Sequence, residues 1–434
     1  RGVGARCERA VAIISTMSAA PLLDPWQGRQ ATVVFLAFAF AYFLSALLRA
    51  VTATLAPEFS RELSLGAGQL GLLAGAYFLG FAALQLPLGQ ALDQVGPRRV
   101  LMVLMAVAIA GCIGFAVAGS LVQLLLARFV IGIGVSACLM APLTLFRHRF
   151  SMATGLRANS WMLMSGSLGM VASTVPTRWL LPHLGWRGLF VGVAMLLVLA
   201  LGLIALVVPR DPPRRSTQVR QGANGSGYWQ VIRSRAFARM VPLGFFSYGG
   251  LVAMQSLWIG PWLTQVRGHS PEDAAAALFF VNGGMLLAFL AWGLAMPRLN
   301  HAGWHADRLI AVTWPLSAAI MGWIIWRGEA AGALAWALWC MASSVVTLSQ
   351  PMVAQHFPAS AAGRALSAFN LVVFLGVFGV QWGVGLLIDG LRATGWGQTA
   401  AFRAALLLYL VASAASYGVA LIVRSPSRFG TVAQ

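Results

Sequence analysis

Between Ala31 and Val423 the chain is built almost wholly from apolar runs about 20 residues long, separated by short segments rich in glycine, proline and arginine. A helix of that length crosses the hydrocarbon core of a bilayer, where every backbone amide must find its hydrogen bond inside the chain. Runs repeated end to end leave room for little but a polytopic bundle of membrane helices. Composition agrees: 59% of the 434 residues are hydrophobic and only 9% are charged, whereas a soluble domain carries about a quarter charged residues.

The breaks define twelve spans: Ala31–Thr52, Gly68–Leu88, Val100–Gly119, Leu121–Phe146, Asn159–Leu181, Gly188–Val208, Met240–Val266, Ala274–Met296, Arg308–Trp326, Ala331–Ala354, Ala362–Ile388 and Phe402–Val423. Only Gly119-Ser120 divides the third from the fourth. The expected organisation is an N-terminal segment 1–30, a six-helix bundle 31–208, a linker 209–239, a second six-helix bundle 240–424 and a tail 425–434. The linker, with Asp211-Pro-Pro, Gly222-Ala-Asn-Gly-Ser-Gly and seven arginines, reads as flexible and cytoplasmic.

Net charge is +19, and every basic residue is arginine. In a soluble chain that balance would suggest nucleic-acid binding. Here the arginines sit mostly between spans, where they carry topology and attract anionic lipid. With both termini inside, twenty-one arginines fall on cytoplasmic segments and seven on outer ones. One missed span would reverse that bias downstream, so twelve spans with cytoplasmic termini is the consistent reading. Nucleic acid is excluded as a partner, and the lipid bilayer is the expected surround.

Arg1, Arg6 and Arg9 ahead of Val11–Ile14 only faintly imitate a signal peptide, because the apolar core is too short. Met17-Ser18 has the form of a start, and residues 1–16 are expected to be upstream sequence. The scattered Cys7, Cys112, Cys138 and Cys340 show neither metal-ligand nor disulfide spacing. His301 and His305 are four apart but have no carboxylate or thiol arranged around them. No metal and no cofactor are expected, and without a nucleophile–base pair neither is an enzyme.

One polar interruption stands out. Gly89-x-x-x-Asp93-x-x-Gly96-Pro97-Arg98-Arg99 separates the second and third spans and reads as a tight cytoplasmic loop. Gly293-x-x-x-Pro297-Arg298 echoes it at the end of the eighth span, an internal repeat of the kind common in secondary transporters. The first stretch resembles the loop signature of the major facilitator superfamily, with Gln94 where the usual arginine stands and Pro97 in place of another basic residue. Arg128-x-x-x-Gly132-x-Gly134 and Gly185-Trp186-Arg187 are similar to further motifs of that family. The fifth-span antiporter motif is not met: Gly166 and Gly169 are present, but Pro176 follows valine and no glycine pair comes after it.

The resemblance implies an all-α fold of twelve transmembrane helices in two pseudo-symmetric bundles, with a substrate site between the halves. It also implies a gating role for Gly89, Asp93, Gly96, Arg98 and Arg99, in which Asp93 meets the positive end of a neighbouring helix or an arginine and closes the cytoplasmic side. Gln94 points to a weaker latch than usual, and Pro297 in the echo to a one-sided one.

Within the spans, Arg49 is the most informative residue, since an intramembrane cation must face protein or water. Tyr42, Ser45 and Arg49 share one helix face, suited to a carboxylate, phosphate or sulfonate that guanidinium binds bidentately. The competing reading is an arginine snorkelling to a nearby interface. The first-helix arginine also resembles that of organic anion transporters in the superfamily. Arg128 is the second buried cation, a substrate contact or a structural group. Tyr248, Gln255 and Trp258 recur on one face of the seventh span, and Ser343, Thr347 and Gln350 on one face of the tenth. Trp161, Ser165, Asn370 and Gln381 are weaker candidates, because polar residues also serve as helix-packing contacts.

None of the eleven acidic residues falls in mid-span. That disfavours a cationic substrate and leaves proton coupling without an obvious carrier; Glu58 and Asp389, at outer ends, are candidates, with solvated loop charge as the competing reading. The expectation is a monomeric secondary transporter of a bacterial cytoplasmic membrane, moving a small organic anion with protons or down its gradient. The alternatives are a proton-coupled efflux antiporter of neutral or amphipathic compounds, and a non-transporting partner or sensor on the same fold.

Overall fold

The computed structural model describes residues 28–149, 152–210 and 226–422, and they are helical almost throughout, with no strand among them. The first half holds α1 (Gly28–Glu62), α2 (Ala67–Ala83 continued by Gln85–Gln94), α3 (Pro97–Ala116), α4 (Leu121–Val135 continued by Ala137–Arg149), α5 (Met152–Ala172) and α6 (Val175–Val207). The second half holds α7 (Arg235–Val266), α8 (Pro271–His301), α9 (Ala306–Arg327), α10 (Ala333–Gln355), α11 (Ala359–Ala393) and α12 (Gln398–Ile422). Ten of these helices are long and apolar enough to cross a bilayer, and α2, bent by 43° near Leu84, makes an eleventh if counted whole. The remaining helix, α5, has 21 residues but is more polar, with Asn159, Ser160, Ser165 and Ser167 along it.

Large apolar side chains lie on the outside as well as in the core: Leu206 is 86% exposed, Ile422 85% and Val117 77%. Such a surface would aggregate in water and suits contact with lipid tails.

Several boundaries differ from the sequence expectation, each for a local reason. The first span does not stop at Thr52, because α1 runs on to Glu62 with Pro57 inside it and Val51 through Ala56 all buried. The expected loop Gly89–Arg99 is mostly helix. α2 continues to Gln94, and only Val95 and Gly96 form the turn: Gly96 has φ +101° and Pro97 begins α3. A positive φ favours glycine, and proline at the first helical position gives up no hydrogen bond. The echo at Gly293–Gly303 likewise lies within α8 until Ala302, and the chain turns at Gly303, φ +76°.

Part of the expected linker is ordered as the short helix Ser226–Ile232, and α7 begins at Arg235 rather than Met240. The N-terminal segment through residue 27, the Met17 start, the linker's 211–225 and the tail beyond 422 lie outside the described residues.

The two halves meet chiefly along α2 and α11. Gly71 and Gly75 of α2 let the helices close: a Cβ at Gly71 would collide with the Gln381 backbone, and one at Gly75 would lie 2.8 Å from the Phe378 ring. Phe81 and Phe374 meet across the same seam with ring centroids 4.4 Å apart. At the Glu62 end the halves are further joined by charge. Arg178 of α6 donates to Glu272 of α8 at 2.6 and 3.0 Å and to Glu58 of α1 at 2.9 Å.

Candidate functional site

The lengthening of α1 changes the meaning of Arg49. Thirteen residues of helix separate it from Glu62, about 20 Å at the α-helical rise. Arg49 therefore sits in the middle of its helix, too deep to snorkel to that interface. Tyr42, Ser45 and Arg49 do share a face, and that face looks into the seam between the halves. Tyr42, Tyr77 from α2 and Tyr248 from α7 stand close enough to act on the guanidinium. The Tyr77 hydroxyl donates to the Ser45 carbonyl at 3.2 Å while lying within hydrogen-bonding reach of Arg49. The Phe81 ring approaches the same guanidinium, 5.8 Å from centroid to Cζ.

Arg49 remains partly exposed, and no carboxylate pairs with it among the described residues. Among the described residues its Nε is buried without a hydrogen-bond partner, as is the Nε of Arg128. A buried polar group normally has its partner. Here the guanidinium has one phenol, Tyr77, within hydrogen-bonding reach and two more, Tyr42 and Tyr248, near enough to act on its charge. Gly166 of α5 makes the room, because any side chain there would collide with the Tyr42 ring. The fifth-span glycines noted in the sequence thus serve close approach of α1 and α5.

Arg128 lies differently. It is 1% exposed, donates to the Leu48 carbonyl at 3.0 Å and to Thr52 Oγ1 at 2.5 Å, and stands 5.2 Å from the Tyr77 ring centroid. The expected substrate contact is not what its position offers: the guanidinium is enclosed within the first half, behind Tyr77. Tyr77 therefore lies between two cations and links them, and no motif in the sequence had singled it out. Its signal was weak, one tyrosine in a glycine- and leucine-rich run.

The face expected along α7 breaks up. Tyr248 stands near enough to act on Arg49, whereas Gln255 donates to Asn282 of α8 at 2.9 Å, and the Trp258 ring stacks edge-on against Phe402, centroids 6.1 Å apart. The cause is π-helical geometry at Leu243–Tyr248, Met254–Trp258 and Trp262–Val266, which adds residues per turn and rotates the later side chains off the α-helical register. Asn282 in turn donates to the Met170 carbonyl of α5 at 3.5 Å, so Gln255 and Asn282 belong to the joint between halves. Gln381, a weaker candidate, donates to Ser256 at 3.0 Å in the same region.

In α10 a 3₁₀ segment, Ser344–Leu348, likewise separates Ser343, Thr347 and Gln350. Ser343 lines a small cavity inside the second half with Ser247, Trp314 and Tyr409. Thr347 returns its hydroxyl to the Ser344 carbonyl at 2.7 Å, and Gln350 donates to Asn370 at 2.6 Å. These three residues do not gather around Arg49. Trp161 is 54% exposed, and Ser165 bonds back to the Trp161 carbonyl.

At the Asp93 end, Gly89 lies within the helix and Gly96 forms the turn. Arg98 donates to the Ala205 carbonyl of α6 at 2.7 Å, tying α3 to α6, while Arg99 is exposed. Asp93, on the last turn of α2, stands near Tyr228 of the short helix, which also feels Arg364 of α11. The Tyr228 hydroxyl donates to the Leu86 carbonyl at 3.1 Å. Gly185, φ +63°, breaks α6 so that Trp186 and Arg187 turn onto Glu62, donating at 2.5 and 2.6 Å. Among the described residues no group of His, Cys, Asp and Glu is arranged to hold a metal ion.

Two bundles of long apolar helices meeting along a glycine- and aromatic-lined seam, with a cation in the middle of α1, form an architecture suited to membrane transport. The family profile of the Major Facilitator Superfamily matches residues 38–380, and the chain belongs to that family. It is similar to the 4-hydroxybenzoate transporter PcaK of Pseudomonas aeruginosa, 28% identical over 91% of this chain and 92% of that one. It is also similar to the probable sulfoacetate transporter SauU of Cupriavidus necator, 26% identical over 54% of this chain and 57% of the relative. A third relative is the probable L-galactonate transporter of Escherichia coli, 26% identical over 53% and 49%.

Among solved structures, the D-xylose-proton symporter aligns with a TM-score of 0.72 over 91% of this chain and 97% of that one at 16% identity. A bacterial homolog of the human lysosomal transporter Spinster, in an inward-facing and unoccupied conformation, aligns at 0.71 over 92% and 98%, also at 16% identity. The fold is therefore that of this superfamily: all-α, multi-pass and membrane-embedded. The protein is a transporter of small molecules and not an enzyme.

Proposed function

We propose that the protein moves a small organic anion through the membrane by alternating access, as a proton-coupled symporter or a uniporter, with Arg49 holding the anionic group. The observation that carries this reading is a guanidinium in the middle of α1 with no carboxylate partner among the described residues and with Tyr42, Tyr77 and Tyr248 near it. An unpaired charge in that setting costs several kcal/mol unless a ligand completes it. Guanidinium binds carboxylate or sulfonate with two parallel hydrogen bonds, and phenol hydroxyls add donors to the same oxygens.

The phenol and phenyl rings of Tyr42, Tyr77, Phe81 and Tyr248 give the remainder of the ligand an apolar, aromatic wall. The substrates for which the three relatives are named, 4-hydroxybenzoate, sulfoacetate and L-galactonate, are all organic anions, which supports the class. In this reading the Asp93 end is cytoplasmic and the membrane is the bacterial inner membrane. Arg128, enclosed behind Tyr77, reinforces the positive field without touching the ligand.

Reconstituted vesicles test the proposal. Uptake of labelled 4-hydroxybenzoate or sulfoacetate should saturate, and Arg49→Lys should lose most of it while reconstituting normally. Full uptake by Arg49→Ala would remove the anchor from the account. Imposing a pH gradient in each direction separates symport, uniport and efflux.

A further inference from the structure

α2 begins at the Glu62 end with no acidic residue of its own in the first turn. A helix N-terminus left bare presents unpaired N–H groups and a partial positive charge. Here the missing acid comes from the other half of the molecule. Asp389, on the last turns of α11, accepts from Ala67 N at 2.9 Å through Oδ1 and from Gly68 N at 2.7 Å through Oδ2.

The seat is shaped for it. A Cβ at Gly66 would lie 2.8 Å from Asp389 Oδ2 and one at Gly68 3.0 Å from the same atom. Gly385, one turn earlier in α11, brings the helix in contact with Ala67 and Gly68 of α2, where any side chain would collide. Gln69 satisfies the adjoining Gly66 N at 3.1 Å, so the first turn of α2 is capped from two directions.

At the opposite end the same two helices exchange places. α2 carries Asp93 on its own last turn, near Tyr228 and Arg364 by the start of α11. Each helix thus brings an aspartate near its C-terminus to the beginning of the other, one pair at each end of the molecule.

We infer that Asp389 is a gate residue of the transport cycle: its carboxylate, seated on the N-terminus of α2, holds the Glu62 end of the two halves together and leaves that seat each time that end opens. The Arg178–Glu272 pair, which also spans the halves there, is the second tie of the same gate. This does not depend on which ligand Arg49 holds. Separating the halves at this end strips the first amides of α2 of their acceptor and replaces Asp389 with water, whereas the α2–α11 seam deeper in the membrane is glycine and aromatic contact that can roll.

The test uses full-length protein in lipid nanodiscs with Cys7→Ser, leaving only the three buried cysteines. Spin labels go on Val175→Cys at the start of α6 and Ala393→Cys at the end of α11, both exposed and on opposite halves. Pulsed dipolar spectroscopy then reads their separation. Asp389→Asn keeps the side chain's size but removes the charge. Gly68→Ala keeps the charge and favours helix, yet pushes the carboxylate off its seat. Each should raise the ratio of long-distance to short-distance populations about fivefold, the shift expected for a lost carboxylate cap. Asp389→Glu should fall between them and the parent. A distance distribution like the parent's in either folded variant overturns the inference.

Discussion

Arg49 and Arg178 are both guanidiniums at the boundary between the two halves, and the chain treats them oppositely. Arg178 lies at the Glu62 end, with Glu58 and Glu272 within 2.9 Å. Arg49 lies nine residues before Glu58 in α1, about 14 Å of helix deeper, and among the described residues it has phenols and the Phe81 ring beside it but no carboxylate. The first arrangement is complete without a ligand, so it can only hold or release. The second is incomplete, so it can bind. Where an arginine has its carboxylates, it serves the mechanics of the halves; where it has none among the described residues, the proposal is that a ligand brings one.

The comparison breaks most sharply at Arg49 itself. Arg49→Gln should weaken binding of a carboxylate or sulfonate by about 2–5 kcal/mol, roughly 30-fold or more, as measured by calorimetry on detergent-solubilised protein. Because the variant also removes a half-buried charge with no carboxylate partner among the described residues, the ligand-free protein should melt no lower than the parent, and a fall of several degrees would contradict that part.

Arg128→Gln should do the reverse. It leaves the Leu48 carbonyl and Thr52 Oγ1 with lost or poorer partners in a dry interior, a cost of about 1–3 kcal/mol that a thermal melt detects directly. Anion affinity should fall less than in the Arg49 variant. If it falls as far, Arg128 touches the ligand and its enclosure behind Tyr77 opens during the cycle.

Tyr248→Phe removes one phenol oxygen of the ring around Arg49 and keeps the wall. A loss of about 1 kcal/mol, near fivefold in Kd, would place that hydroxyl on the anion, and an unchanged Kd would assign it to orientation of Arg49 alone. Smallest of all is Arg178→Gln. Of its two partners, Glu272 has a side chain 65% exposed, a pair that contributes under about 1 kcal/mol, and Glu58, only 16% exposed, keeps Arg61 when Arg178 is lost. Stability should scarcely move and anion affinity should stay within about twofold, since that pair never meets the ligand.

The helical plan and its membrane setting were legible because apolar length is a property of composition over 20 residues, insensitive to local detail. The Arg49 face was legible for a related reason: α1 is regular, so the spacing Tyr42, Ser45, Arg49 is a face. In α7 and α10 equal spacing does not make a face, because the π turns at Met254–Trp258 and the 3₁₀ turn at Ser344–Leu348 change the angle per residue. No residue type announces those turns, and they separate Tyr248 from Trp258 and Ser343 from Gln350.

The end of α1 was misplaced because Pro57, Glu58 and Arg61 read as an exit from the membrane, whereas the buried run from Val51 to Ala56 carries the helix past them. That misplacement made Arg49 look like an end residue. Asp389 went unrecognised as a cap, since a helix N-terminus served from 321 residues away leaves no local signature.

The most direct test of the account is thermal stabilisation of the purified transporter by matched ligands. A panel should pair 4-hydroxybenzoate and sulfoacetate with their neutral amide counterparts, applied to the parent and to Arg49→Gln. Bound ligand raises stability by RT ln(1 + [L]/Kd). At least one anion should then raise the melting temperature of the parent, its amide should not, and neither should act on Arg49→Gln. Equal stabilisation of parent and variant by the same anion would show that Arg49 is not what holds it.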